Sequence, residues 1–257
     1  MENALYFDVE TIPGQRPGLR EEIAKTIKAP GQYKKAESIA EWERENKAAA
    51  VEEAWLKTSL DGTSGEVVVA SFAVGDGDVV TITTEDWQDP NSEANMLRTL
   101  NEAISDCVPH AHIVGMAVVG HYVSGFDLRF IAQRSIICGV RPHPILARAA
   151  LAKPWEIDKV FDTMVQWAGV GNRISLDKLC KALGLPGKGA MDGSMVWPAV
   201  RDGRIAEVTA YCPDDVRKVR SVHHRMTFKT MPQPATRAAP APSAPPAAVR
   251  IPETLDF

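Results

Sequence analysis

Residues 6–13 read YFDVETIP, an apolar run interrupted by two acids with one valine between them. The aromatic and β-branched residues predict an extended strand over residues 3–10. Successive side chains of a strand alternate faces, so Asp8 and Glu10 project together while Leu5, Phe7 and Val9 point the other way. Two carboxylates on one face repel each other unless water or a cation lies between them. Hard divalent cations such as Mg²⁺ take oxygen ligands, commonly one or two carboxylates together with substrate phosphate. From this stretch alone, a solvated strand end explains the pair equally well.

Residues 16–60 change character: Glu, Lys and Ala dominate, with Ile39, Trp42, Val51 and Trp55 at helical spacing. They read as a helical insertion of two amphipathic helices broken near Pro30-Gly31. Residues 66–85 carry two β-branched runs around Gly75-Asp76-Gly77-Asp78, a hairpin signal. Apolar residues at 96, 97, 100 and 104 predict a helix over 93–104, and the nearly all-apolar run 112–121 predicts a strand buried on both faces. Helices are expected near 125–138, 174–183 and 212–229, with a short strand near 159–162. This order predicts an α/β fold, a mixed sheet flanked by helices, over residues 1–230. Proline and alanine dominate residues 231–257, which predicts a disordered or polyproline-like tail.

The chain has 257 residues and a formal net charge of −4. The cysteines at 107, 138, 180 and 212 are scattered with no CxxC pair, and the histidines lack ligand spacing. A zinc cage and a disulfide framework are therefore not expected. No apolar stretch approaches the ~20 residues that span a bilayer, so the expectation is a cytoplasmic protein with no membrane contact.

Two later stretches also carry acids. In GHYVSGFDLRF (120–130) Ser124 is placed to cap a helix whose first turn holds Asp127. Such an acid complements the helix dipole without further duty. Its place beyond the C-terminal end of a buried strand is also where open α/β sheets locate their sites. In AYCPDDVRKVRSVHHRM (210–226) Pro213 suits a first helical position, which would put Asp215 in the first turn, four residues after Tyr211. Val216, Val219, His223 and Met226 then form a buried stripe.

Taken together, D-x-E in FDVETIP, F-D in GFDLRF and Y-x-x-x-D in YCPDDV resemble the three motifs of the DEDD exonuclease superfamily. This is the DnaQ-like group with the ribonuclease-H-like fold, in its tyrosine (DEDDy) branch; the stretch from FDTMVQWAG to DGSMVW looks like stand-alone, polymerase-B-proofreading-like members. The resemblance implies a 3′–5′ exonuclease that hydrolyses single-stranded or frayed DNA ends to nucleoside 5′-monophosphates. It implies two divalent metal ions, Mg²⁺ or Mn²⁺, held by Asp8, Glu10, Asp127 and Asp215, with Tyr211 positioning the attacking water. Thr11, Ile12 and Pro13 would contact the terminal nucleotide through backbone and an apolar wedge, with Tyr122 and Phe126 as further substrate contacts. The chain departs from the family at Tyr122, which fills the slot of the usual asparagine and could stack on a base.

Two other readings stay open: a 3′–5′ exoribonuclease, and a non-catalytic nucleic-acid-binding module on the same fold. Arg201, Arg204, Arg217, Lys218, Arg220, Arg225 and Lys229 make residues 201–229 the most basic part of the core, suited either to line a strand's path or to form a solvated face. The terminal PETLDF resembles short peptides that dock into replication proteins, which suits a bacterial or phage-type setting.

Overall fold

The computed structural model describes residues 3–230 except 85, 188 and 190. Strand β1 (Ala4–Ile12) lies at the centre of a five-stranded sheet. On one side it pairs antiparallel with β2 (Glu66–Val74), which turns back into β3 (Val80–Thr83). On the other it pairs parallel with β4 (Ala117–Gly120), itself parallel to β5 (Val160–Asp162). Helices cover both faces, as the mixed-sheet expectation required.

The alternation read from β1 holds. Leu5, Phe7 and Val9 enter a core completed by α3 (Ser92–Cys107), α4 (Asp127–Ile137) and α5 (Pro144–Ala150). Ala4, Tyr6 and Ile12 face the opposite layer, built from α8 (Val196–Arg201) and α9 (Ile205–Met226). Helices α6 (Thr163–Ala168) and α7 (Leu176–Ala182) pack against α9. Asp8 and Glu10 belong to this second face. Beyond Glu10 the register with β2 slips by one residue, Glu10 opposite Val69 and Thr11 opposite Val67, a bulge of the kind that re-aims side chains beside sites.

The insertion after β1 contains α1 (Leu19–Thr26) and α2 (Ala36–Leu56), followed by a 3₁₀ turn at 57–60. Of the α2 residues only Trp55 is buried; its indole N–H donates to the Gly14 carbonyl at 2.9 Å. Gly14 is required by close approach: a Cβ there would lie 2.0 Å from the Ser64 carbonyl oxygen. Since that obstacle is backbone, Gly14→Ala is expected to destabilise by about 2 kcal/mol, as overpacking does. Chemical denaturation of the variant would read this directly.

Several boundaries differ from the sequence reading. The apolar run 112–121 is a strand only over Ala117–Gly120: His110–His112 form a 3₁₀ turn and Val114 is 81% exposed. The last helix begins at Ile205, so Pro213 lies inside it and Asp215 in its middle rather than in its first turn. The buried stripe Val208, Cys212, Val216, Val219 and Val222 carries the helix through the proline. Ser124 does not cap α4: Phe126 takes the N-cap position without a side-chain bond, and the Ser124 hydroxyl donates instead to Asp162 at 2.6 Å. Helices α5, α6 and α8 are too short to show a periodic signal in the sequence.

One buried ion pair crosses the first layer. Glu93 accepts from Arg134 Nε at 2.9 Å and from Arg134 Nη2 at 2.6 Å, and also from the Val67 amide at 2.9 Å and the Cys138 thiol at 3.3 Å. It joins α3, α4 and β2. Burial, with Glu93 alongside, pushes the Cys138 thiol up to about 12. Among the described residues no helix is long and apolar enough to cross a membrane. The Pro/Ala-rich tail and its PETLDF tip lie outside the described residues.

Candidate active site

Three elements bring the acids of the three motifs together. Strand β1 supplies Asp8 and Glu10, the first turn of α4 supplies Asp127, and α9 supplies Asp215 with Tyr211 one turn earlier. Glu10 is 8% exposed and Asp127 4%, while Asp8 keeps partial access to solvent. Burial, then the charges of Asp127, Glu10 and Asp215, raises the Asp8 carboxyl well above its ordinary range. Burial, then Asp215 and Asp127, does the same to Glu10. Burial lifts Asp127 to about 7 against hydrogen bonds from its own N–H and that of Val9, the latter at 3.0 Å, with Asp162 and Asp215 adding to the rise.

A cluster of carboxylates held this far from its preferred ionisation is what divalent cations relieve, and its oxygen donors suit Mg²⁺ or Mn²⁺. Asp8 and Glu10, with the thiol of Cys212, place ligand atoms within 4.8 Å of one another. Asp127 and Asp215 stand within electrostatic reach of that group but outside its tightest triad.

Asp215 shares one buried ammonium with Asp214. Lys218, its side chain only 9% exposed, lies 3.0 Å from Asp215 Oδ1 and 2.7 Å from Asp214 Oδ2. Burial alone would lower the Lys218 ammonium, but its hydrogen bonds to both aspartates outweigh that and raise it. Tyr211 lies beside Asp215, and burial together with the acids around it holds the phenol above its ordinary range, so it stays protonated at neutral pH.

The substrate-contact expectations fare unevenly. Thr11 is half-buried and donates to the Ser59 carbonyl at 2.6 Å. Ile12 is 0% exposed and packs among Val68, Val69, Val196 and Val208, so its side chain is core and not the anticipated apolar wedge. Pro13 is likewise buried. Phe126 leans on Phe130, ring centroids 5.4 Å apart, at the rim of the first core. Tyr122 has φ 62°, a left-handed backbone that asparagine tolerates far better than a bulky residue. The usual asparagine of this slot therefore has a backbone rationale that Tyr122 lacks. Its ring lies under the Arg173 guanidinium at 5.3 Å.

Three contributors escaped the sequence reading. Cys212, one residue after Tyr211, lies 3.4 Å from Asp8 Oδ2, and burial with Asp8 and Glu10 raises its thiol, so it remains protonated. Nothing in the sequence separates it from the other cysteines. Asp162 accepts from the Tyr122 amide at 2.9 Å, the Ser124 amide at 3.1 Å and the Met164 amide at 3.0 Å. It thereby fixes the turn that delivers Asp127 while capping α6. An acid ending a strand and followed by Thr163 is a readable cap signal. Lys218 stands in the sequence as one of several basic residues, and only the fold pairs it with Asp215. Most of those residues are engaged: Arg201 with Asp202, Arg204 with Asp202 and Glu207, Arg220 with the Gly75 and Gly77 carbonyls, Lys229 with Asp76.

The fold is shared with the family B DNA polymerase from the hyperthermophilic archaeon Pyrobaculum calidifontis, which aligns over 87% of this chain with a TM-score of 0.52 and 16% sequence identity. The chain spans 24% of that polymerase. No curated protein sequence matches it. Residues 60–231 match the family described as predicted 3′–5′ exonucleases related to the exonuclease domain of PolB. Asp127, Tyr211 and Asp215 fall inside the match, and Asp8 and Glu10 precede it. Since the match covers well over half of the chain, the protein belongs to this family of predicted PolB-related 3′–5′ exonucleases.

Proposed function

We propose that the protein is a metal-dependent 3′–5′ exonuclease acting on single-stranded or frayed DNA ends and releasing nucleoside 5′-monophosphates. The observation that carries this reading is the convergence of Asp8, Glu10 and Asp127 beside Asp215, each of the first three raised out of its ordinary range by removal from water and by its neighbours. Asp8, Glu10, Asp127 and Asp215 would hold two divalent ions, which when bound supply a hydroxide nucleophile at neutral pH and stabilise the leaving 3′ oxygen.

The protein's own groups do the rest. The Tyr211 phenol, beside Asp215, orients water by hydrogen bonding; being protonated, it is a positioning group rather than a base. Lys218 keeps Asp215 in place against the repulsion of the other acids. Asp162 holds the turn that sets Asp127.

The test is a 5′-labelled oligonucleotide, as single-stranded DNA and as RNA, incubated with Mg²⁺ or Mn²⁺. A ladder of 3′-shortened DNA products that vanishes with chelator supports the reading. A ladder from RNA alone would reassign the substrate, and none from either polymer would leave a binding module.

A further inference from the structure

At the junction of the helical insertion with α8, three indoles and three guanidinium groups surround a cavity of about 410 Å³. Trp55, Trp87 and Trp197 form a chain of edge-to-face contacts, each adjacent pair of centroids 5.3 Å apart. Arg20 lies 3.7 Å over the Trp55 ring, and Arg16 and Arg201 complete the lining with the Gly14 backbone and, among the described residues, a single acid, Glu21. Trp87 and Trp197 are half-buried, so their rings still reach the cavity.

The cations have carboxylate partners, but exposed ones: Arg16 with Glu22 and Arg20 with Glu52, side chains about half exposed on both sides, and Arg201 with Asp202. Exposed pairs of this kind are worth roughly 0–1 kcal/mol, so phosphate oxygens can replace the carboxylates at little cost. Aromatic faces interleaved with arginine are the chemistry that binds single-stranded nucleic acid irrespective of sequence.

The cavity also lies close to the acid centre. Gly14 follows Glu10 by four residues, so along the chain the two lie at most ~14 Å apart. We propose that this tryptophan–arginine cavity is a second binding site for the single strand, stacking bases on Trp87 and Trp197 and holding phosphates with Arg16, Arg20 and Arg201, a few nucleotides from the 3′ end. The proposal rests on the exonuclease reading for the strand's direction only.

The test uses the full chain with Ca²⁺ in place of Mg²⁺ and follows tryptophan fluorescence and the anisotropy of labelled dT₈ and dT₂. Wild type is expected to bind dT₈ with quenching of its tryptophans and to bind dT₂ far more weakly. Trp87→Leu should weaken dT₈ by about 5- to 100-fold, the worth of one stacked base, and leave dT₂ unchanged. Arg201→Glu, a change at an exposed side chain, should weaken dT₈ and lower the slope of log affinity against log salt by about one. Arg98→Glu, on α3 across the sheet, carries the same charge change and should have no effect.

Equal dT₈ binding by wild type, Trp87→Leu and Arg201→Glu overturns the site, even if all three degrade DNA. Quenching and weakened variants in a protein that cleaves nothing would uphold the site and sink the exonuclease reading. Absence of any oligonucleotide binding by wild type overturns both.

Discussion

Replacing Asp8 by asparagine is expected to slow hydrolysis of a labelled single strand at least ~10³-fold, and in the same protein to raise the thermal midpoint measured without divalent ions. The first effect follows from several kcal/mol of transition-state charge stabilisation that a complete ligand set supports, at 1.36 kcal/mol per tenfold in rate. The second follows from the repulsion among the acids: Asp8 is burdened by desolvation and by Asp127, Glu10 and Asp215, and a neutral amide removes one of the four charges.

The pH dependence has a definite sign. A carboxyl whose value is raised in the folded state contributes stability that is present below the ordinary carboxylate value near ~4 and lost as pH climbs through the raised one. For Asp127 that upper limit is about 7. The metal-free midpoint should therefore fall between about pH 5 and about pH 8, by about 5 °C for ~2 kcal/mol in a protein of this size. Added Mg²⁺ should recover it at the upper end, and the fall should be shallower in Asp8→Asn. A DNA ladder that persists in the variant, or a metal-free midpoint indifferent to pH, would falsify this account of the site.

The largest expected loss of stability lies elsewhere. Arg134→Met removes the guanidinium from Glu93, both side chains being under a tenth exposed, and leaves a carboxylate with only the Val67 amide and the Cys138 thiol. Breaking one side of a buried pair costs about 3–5 kcal/mol. The midpoint should drop by about 10 °C or more. Exchanging Glu93 and Arg134 together for Gln and Met should restore part of it, because no charge is then stranded. A single variant as stable as wild type would show that Glu93 is solvated or protonated in the fold.

The parts of this molecule legible in the sequence are those where one local rule suffices. Alternation on β1 placed Asp8 and Glu10 on one face and Leu5, Phe7 and Val9 on the other, and the structure agrees. The Gly75-Asp76-Gly77-Asp78 reversal and the spacing at 96, 97, 100 and 104 gave their elements correctly. Where two rules compete, the reading failed. Pro213 argued for a helix start, but the apolar stripe from Val208 onward outweighs one missing backbone bond and moves the boundary back to Ile205. Ile12 follows an exposed-looking motif, yet it shares the face of Ala4 and Tyr6, where α8 and the start of α9 close over it. Asp162, Lys218 and Cys212 depend on contacts between residues far apart in the chain, which no local pattern encodes.

The central position of β1 has a consequence for synthesis. Its acids lie within the first ten residues, whereas Cys212 meets Asp8 across a separation of 204 residues and Asp215 follows three positions later. Closing so long a loop must await α9, since that helix covers the sheet face on which those acids sit. A growing polypeptide would thus carry no complete acid centre until α9 has left the ribosome, and truncation anywhere before α9 would yield a chain without the proposed nuclease activity.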